Sequence, residues 1–191
     1  HHGLFWKFHG VRTIVGAQAK RITPLIKSDV NLFAYHLPLD AHLEIGNAVQ
    51  LGKLIDLKKI SPFGNYQGAA TEIKATLKKS MNANELKILL TKKLQHPVLL
   101  SSPNIKSKIS TIGIITGGAN GDWKMAECHG LDAYLTGGMS EHDWHDAKEA
   151  NIHMFAGGHH ATEKWGIQAL MKKIARDLKI ECHFFDSKNP A

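Results

Sequence analysis

The chain has 191 residues, 43% of them hydrophobic, with 24 Lys and Arg against 17 Asp and Glu for a formal charge of +7. These figures describe a folded chain of one-domain size and exclude disordered, collagen-like and coiled-coil classes. Two cysteines without a CxxC pair, Cys128 and Cys182, argue against a disulfide scaffold and suit a reducing compartment. No apolar run approaches the ~20 residues of a membrane-spanning helix.

The basic excess is local. Residues 53–108 hold eleven lysines against Asp56, Glu72 and Glu85, with no Arg and only Phe63 and Tyr66 as aromatics. That is poor material for base stacking or bidentate phosphate recognition, so a solvated lysine face is favoured over a nucleic-acid surface. The chain also carries 13 histidines, all but His96 outside this segment.

In chain order, Val30–His36 predicts a short strand ended by Pro38, and Asp40 opens a helix to about Ile55. Alternation over Glu72–Lys78 puts Ile73, Ala75 and Leu77 on one face of a strand. Asn84 is expected to cap a helix over Glu85–Gln95, stopped by Pro97, with a strand at Val98–Leu100. Further strands are expected at Thr111–Thr116, Asp132–Leu135, Ile152–Ala156 and Glu181–Phe185. They alternate with helices over about Asp122–His129, Glu141–Ala150 and His160–Leu178. Such alternation implies α/β packing.

Candidate chemistry lies at the ends of these elements. The last helix has an apolar stripe of Ile167, Leu170, Met171, Ile174 and Leu178, and Glu163 falls within it, four residues before Ile167. A carboxylate aimed at a core is costly unless neutralised, and a metal would do so. His159 and Glu163, four apart, share a helix face and could hold one ion. The alternative is Glu163 at the positive helix N-terminus with hydrogen-bonded histidines. His36-Leu37-Pro38-Leu39-Asp40 lies at a strand's carboxyl end, where α/β proteins place their sites, although Asp40 also reads as an N-cap. Thr116-Gly117-Gly118-Ala119-Asn120-Gly121 could cradle an anion with backbone N–H groups, but it matches neither a P-loop nor GxGxxG. His142 and His145 read as surface residues, and Cys128 beside His129 does not face it on a helix. His1 and His2 alone read more readily as a purification-tag remnant than as ligands.

Taken together, His1-His2-Gly3-Leu4-Phe5-Trp6-Lys7, the His36–His42 block with Gly46-Asn47, Asp132–Gly137 and Gly158-His159-His160-Ala161-Thr162-Glu163 resemble the Nif-three-like family. The resemblance spans nearly the whole chain and implies an α/β fold with mixed sheets flanked by helices, in a single domain over 1–191. The family, which includes GTP cyclohydrolase 1 type 2 homologs, carries a two-metal site. Matching by motif places metal ligands at His1, His2, Asp40, His159 and Glu163, with His36 and His160 as candidate proton carriers. Three imidazoles and two carboxylates suit Zn²⁺, Mn²⁺ or Fe²⁺ rather than Ca²⁺.

The resemblance therefore predicts a cytoplasmic, metal-dependent hydrolase acting on GTP or another phosphate-bearing small molecule, in a hexameric homo-oligomer. A metal-binding adaptor without turnover is the competing reading, and nucleic-acid binding the weakest. Gly138 stands where the family usually carries an acid. The family also has a strand before its His-His block, so the chain is expected to be an N-terminally truncated member.

Overall fold

The computed structural model describes all residues except 7–9, 11, 12 and 191. Its contacts divide into two compact units, residues 1–38 and 39–191. In the first, helix α1 (Gly16–Lys27) buries Ile22. Leu4, Leu25, Leu32 and Ala34 line a small apolar pocket with Ile22. Val30–His36, expected as a strand, forms none: it is an irregular segment with Val30, Leu32, Phe33 and Tyr35 exposed. An apolar run becomes a strand only where another strand accepts its backbone bonds, and no ladder pairs with this one among the described residues.

A short helix, α2 (Leu37–Asp40), carries the chain into the second unit. The long helix expected from Asp40 to Ile55 is interrupted at 41–46, and α3 (Asn47–Leu54) begins after Gly46. There the chain folds back so closely that a Cβ on Gly46 would lie 2.5 Å from the Asp40 carbonyl and 2.8 Å from that of Leu39. Asp40 is thus the end of a helix, not an N-cap.

Six strands follow: β1 (Lys58–Phe63), β2 (Glu72–Asn82), β3 (Leu99–Ser101), β4 (Lys108–Ile114), β5 (Ala133–Thr136) and β6 (His153–Ala156). They form one mixed sheet in the order β1-β2-β4-β5-β6-β3. β4, β5 and β6 run parallel, while β1–β2, β2–β4 and β3–β6 are antiparallel. Pro62, which cannot donate a ladder bond, is tolerated because β1 is an edge strand.

Helices α4 (Ala83–Leu94), α5 (Trp123–Cys128), α6 (Glu141–Glu149) and α7 (His159–Leu178) cover the sheet. Strand alternation separates two cores. Ala133, Leu135 and Phe155 pack with Leu51 of α3, Leu86 and Leu90 of α4 and Ala161 of α7. Tyr134 and Met154 pack with Trp123 of α5 and Ala147 of α6. As expected, Ile73 and Ala75 are buried on one face of β2.

Three expectations need correction. Asn82, not Asn84, caps α4: its side chain accepts from the Glu85 N–H, and the Glu85 carboxylate accepts from the Asn82 N–H, closing a capping box. Glu181–Phe185 is not a strand, because no neighbour among the described residues pairs with it. The fully buried residues of α7 are Ala161, Thr162 and Gly166, whereas the apolar stripe from Ile167 is half-buried and Leu178 is exposed. Gly166 is buried because α3 approaches so closely that a Cβ there would lie 2.8 Å from Asn47 Oδ1.

Candidate metal centre

The second unit gathers its acids where β4, β5 and β6 give way to loops and α7 begins. Glu163, one turn into α7, is 10% exposed at its side chain, and its Oε2 lies 3.0 Å from His159 Nε2. The i,i+4 spacing thus puts both side chains on one helix face, as expected. This carboxylate holds the His159 imidazole above its ordinary pKa chiefly through the hydrogen bond, against partial burial.

Asp40 is buried, and Asn47 Nδ2 donates to its Oδ1 at 2.8 Å. The same amide's Oδ1 accepts the Gly166 N–H of α7 at 2.7 Å. One asparagine therefore ties the turn bearing Asp40 to the helix bearing His159 and Glu163.

The glycines of Thr116–Gly121 serve these acids more visibly than any phosphate. Gly117 has φ +70°, a conformation L side chains rarely adopt, and an added Cβ would overlap Glu163 Oε1. Its N–H donates to the Thr162 hydroxyl and its carbonyl accepts from Thr136, so this amide already has a partner. On the neighbouring loop, a Cβ at Gly138 would lie 2.7 Å from Asn120 Oδ1, so the Asn120 amide fills the space beside this glycine.

One buried acid of this unit is not among the candidate ligands that the sequence offers. Glu72, the first residue of β2, is 5% exposed. Thr116 Oγ1 donates to its Oε1 at 3.1 Å. Burial pushes this carboxyl's pKa well up, the charges of Asp40 and Glu163 push the same way, and the Thr116 bonds oppose them. Glu72 lay hidden because β2 alternation assigns it to the face of Lys74 and Lys78, where a solvated acid is unremarkable.

His160, the candidate proton carrier, bonds through Nε2 to Asp186 at 2.8 Å, and Lys164 reaches the other oxygen of Asp186 at 3.2 Å. The Asp186 carboxyl is held below its usual range, first by the His160 bond. His142 and His145 lie on exposed faces of α6, as expected, and both cysteines are free thiols.

The first unit offers imidazoles. One nitrogen from each of His1, His2 and His36 lies within 4.8 Å of the others. Ring centroids are 4.4 Å apart for His1–His2, 5.1 Å for His1–His36 and 4.7 Å for His2–His36. Trp6 packs edge-on against His2 and His36 at 5.0 and 5.3 Å. Residues 35 positions apart in sequence thus present their nitrogens together.

Comparison with known proteins settles the family. The sequence profile of Duf34/NIF3 (NGG1p interacting factor 3) matches residues 1–190. The chain belongs to the Duf34/NIF3 family. Relatives named GTP cyclohydrolase 1 type 2 homolog from Pasteurella multocida and Haemophilus influenzae are 38% and 39% identical across the whole chain, which covers 75% of each relative's length. A solved structure described as protein ybgI, of unknown function, superposes with TM-score 0.89 at 34% identity, covering all of this chain and 75% of that one. A Bacillus cereus protein related to NIF3 shares the fold at TM-score 0.78 and 15% identity, over 99% of this chain and 80% of its own. The mixed α/β sheet expected from the Nif-three-like motifs is therefore the NIF3 fold. Among the described residues no helix is long and apolar enough to cross a membrane.

Proposed function

We propose that this NIF3 protein holds two divalent ions of the Zn²⁺, Mn²⁺ or Fe²⁺ class through His1, His2, Asp40, His159 and Glu163. We propose further that it hydrolyses a nucleotide or other phosphate-bearing small molecule. The carrying observation is the second unit's acid group, with Asp40, Glu72 and Glu163 close enough to repel and the partly exposed His159 paired to Glu163. Buried carboxylates in mutual repulsion are stable beside a cation. The first unit's imidazoles are the nitrogen donors such ions take alongside carboxylates.

Divalent ions there would supply Lewis-acid polarisation and a nucleophile at neutral pH. Asn47 fixes Asp40 against α7, Gly117 leaves room for Glu163, and Asp186 orients His160 for proton transfer. His36, packed with His1 and His2, is the second candidate proton carrier. The substrate class follows from the names of the relatives, and the cytoplasmic homohexamer is part of the same reading.

Metal analysis of purified protein tests the site: wild type should retain divalent metal, and His159→Ala and Glu163→Ala should lose it. Full retention in both variants refutes the ligand set. With metal bound, formate released from GTP identifies a cyclohydrolase and inorganic phosphate a phosphatase. Release of neither, across nucleotides, favours the adaptor reading. Light scattering on the eluted peak tests the hexamer.

A further inference from the structure

The five proposed ligands leave Glu72 unexplained. It opens β2, paired with Phe63 on β1, while its neighbour Ile73 pairs with Ile114 on β4. Ile73 enters the core between the sheet and α3, so Glu72 points to the opposite face. There its Oε1 accepts from Thr116, and its Oε2 is buried without a hydrogen-bond partner among the described residues.

Such an oxygen is expensive: leaving a buried polar group unsatisfied costs about 1–3 kcal/mol, and more for a charged one. The charges that raise the Glu72 pKa are those of two further carboxylates, Asp40 and Glu163. Backbone geometry confirms the closeness to Glu163. Thr116, which holds Glu72, is followed by Gly117, whose Cα abuts the Glu163 carboxylate. Two consecutive residues after β4 thus separate two buried acids, one on β2 and one on α7. A core that required only a hydrogen-bond acceptor for Thr116 would be served by Gln, without the charge.

We propose that Glu72 is a further ligand of the metal centre, its Oε2 binding an ion alongside Asp40 and Glu163. This rests on the two-metal reading above and extends its donor set by a third carboxylate from the second unit. Thr116 fixes the rotamer by occupying Oε1, leaving one oxygen for the ion. Hydrogen bonds that orient ligating carboxylates in this way are a common feature of metal sites.

The test is a titration of chelator-stripped protein with Zn²⁺ in competition with a chromophoric chelator, together with ion counting by mass spectrometry. It compares wild type, Glu72→Gln and Glu163→Gln. Glu72→Gln preserves volume and the acceptor for Thr116, so it should melt cooperatively in EDTA. It is expected to bind one ion at least tenfold more weakly than wild type. Wild-type affinity and stoichiometry in Glu72→Gln, with binding lost in Glu163→Gln, overturns this inference and leaves the two-metal reading standing. Absence of tight Zn²⁺ binding in wild type overturns both. Should Glu72→Gln fail to fold, Glu72→Asp decides. It keeps the charge but withdraws it by one methylene, so a folded variant with weakened binding supports the assignment, and unchanged affinity refutes it.

Discussion

The two units bring their candidate ligands together at different cost. In residues 39–191, Asp40 is held by Asn47 of α3, Glu72 stands on β2 beside the turn after β4, Glu163 stands on α7, and each is largely buried. In residues 1–38, His1, His2 and His36 lie on irregular backbone, with His2 exposed and the others partly so. The imidazoles keep part of their surface in solvent, whereas burying three carboxylates together requires a frame that over-determines them. The second unit surrounds its acids with sheet, helix and glycine; the first holds its imidazoles on little regular structure.

The largest expected contrast is in amide exchange. β4, β5 and β6 are central, paired strands, and their N–H groups should exchange near the rate of global unfolding. Residues 1–6 and 30–36 form no ladder, so in chelator their protection should be lower by roughly three orders of magnitude, as for segments that open with little free-energy cost. Adding Zn²⁺ should raise protection at 1–6 and 30–36 if His1 and His2 are ligands. Equal protection of the two regions in chelator would break the comparison.

Gly117 tests the cost of the acid frame. Gly117→Ala forces a Cβ onto Glu163 at a backbone angle that disfavours any side chain. Overpacking and left-handed strain together should cost about 2–4 kcal/mol, read as a lower denaturant midpoint. Gly121→Ala, where nothing lies within 4 Å of the added atom, should be close to neutral. Equal effects would mean that the loop does not shape the site.

His153 shows that burying an imidazole also requires a frame when it is placed in the second unit's core. It is 4% exposed, with Ser102 Oγ at 2.8 Å from Nδ1 and Ser107 Oγ at 2.9 Å from Nε2. Because the Ser107 hydroxyl donates to the Asn104 carbonyl, its oxygen is left to accept from Nε2–H, and Ser102 then donates to Nδ1. Both bonds suit the neutral ring, and desolvation lowers the pKa against the attraction of Asp132. A histidine depressed in the folded state stabilises it above the unfolded pKa of about 6.5 and loses that contribution as pH falls through the folded pKa. Stability should therefore drop below about pH 6.5. His153→Asn should flatten that part of the profile, while a profile unchanged from wild type would refute the assignment.

The parts of this design legible in sequence are those with local signatures. The alternation from residue 109 onward is punctuated by Gly or polar turns, and each expected strand but the last exists within a few residues. The His159–Glu163 pairing follows from helical spacing alone. Helix α1 went unread because its first turn has no acid, its N-cap Val15 makes no side-chain bond, and Pro24 interrupts it. β1 went unread because Pro62 and the positive φ of Lys59 break its pattern. Glu72 was invisible for a different reason: its burial comes from partners 9 residues before it, in Phe63, and 44 after, in Thr116. No local periodicity encodes such contacts.

The smallest effect defines where the lysine-rich part of the second unit is anchored. Sequence spacing favoured Asn84 as the cap of α4, but the reciprocal bonds belong to Asn82 and Glu85. Asn82→Ala should lose an acceptor that no neighbour replaces and cost about 1 kcal/mol. Asn84→Ala, inside the first turn, replaces a weak helix former with the strongest and should be neutral or slightly stabilising. Because Leu86, Leu90 and Leu94 of α4 pack into the core that α7 shares through Ala161, the Asn82 loss should appear in global unfolding and leave Zn²⁺ stoichiometry unchanged. Parallel denaturant melts of the two variants read this difference directly. A cost at Asn84 equal to that at Asn82 would place the start of the helix two residues later and remove the capping box from the frame.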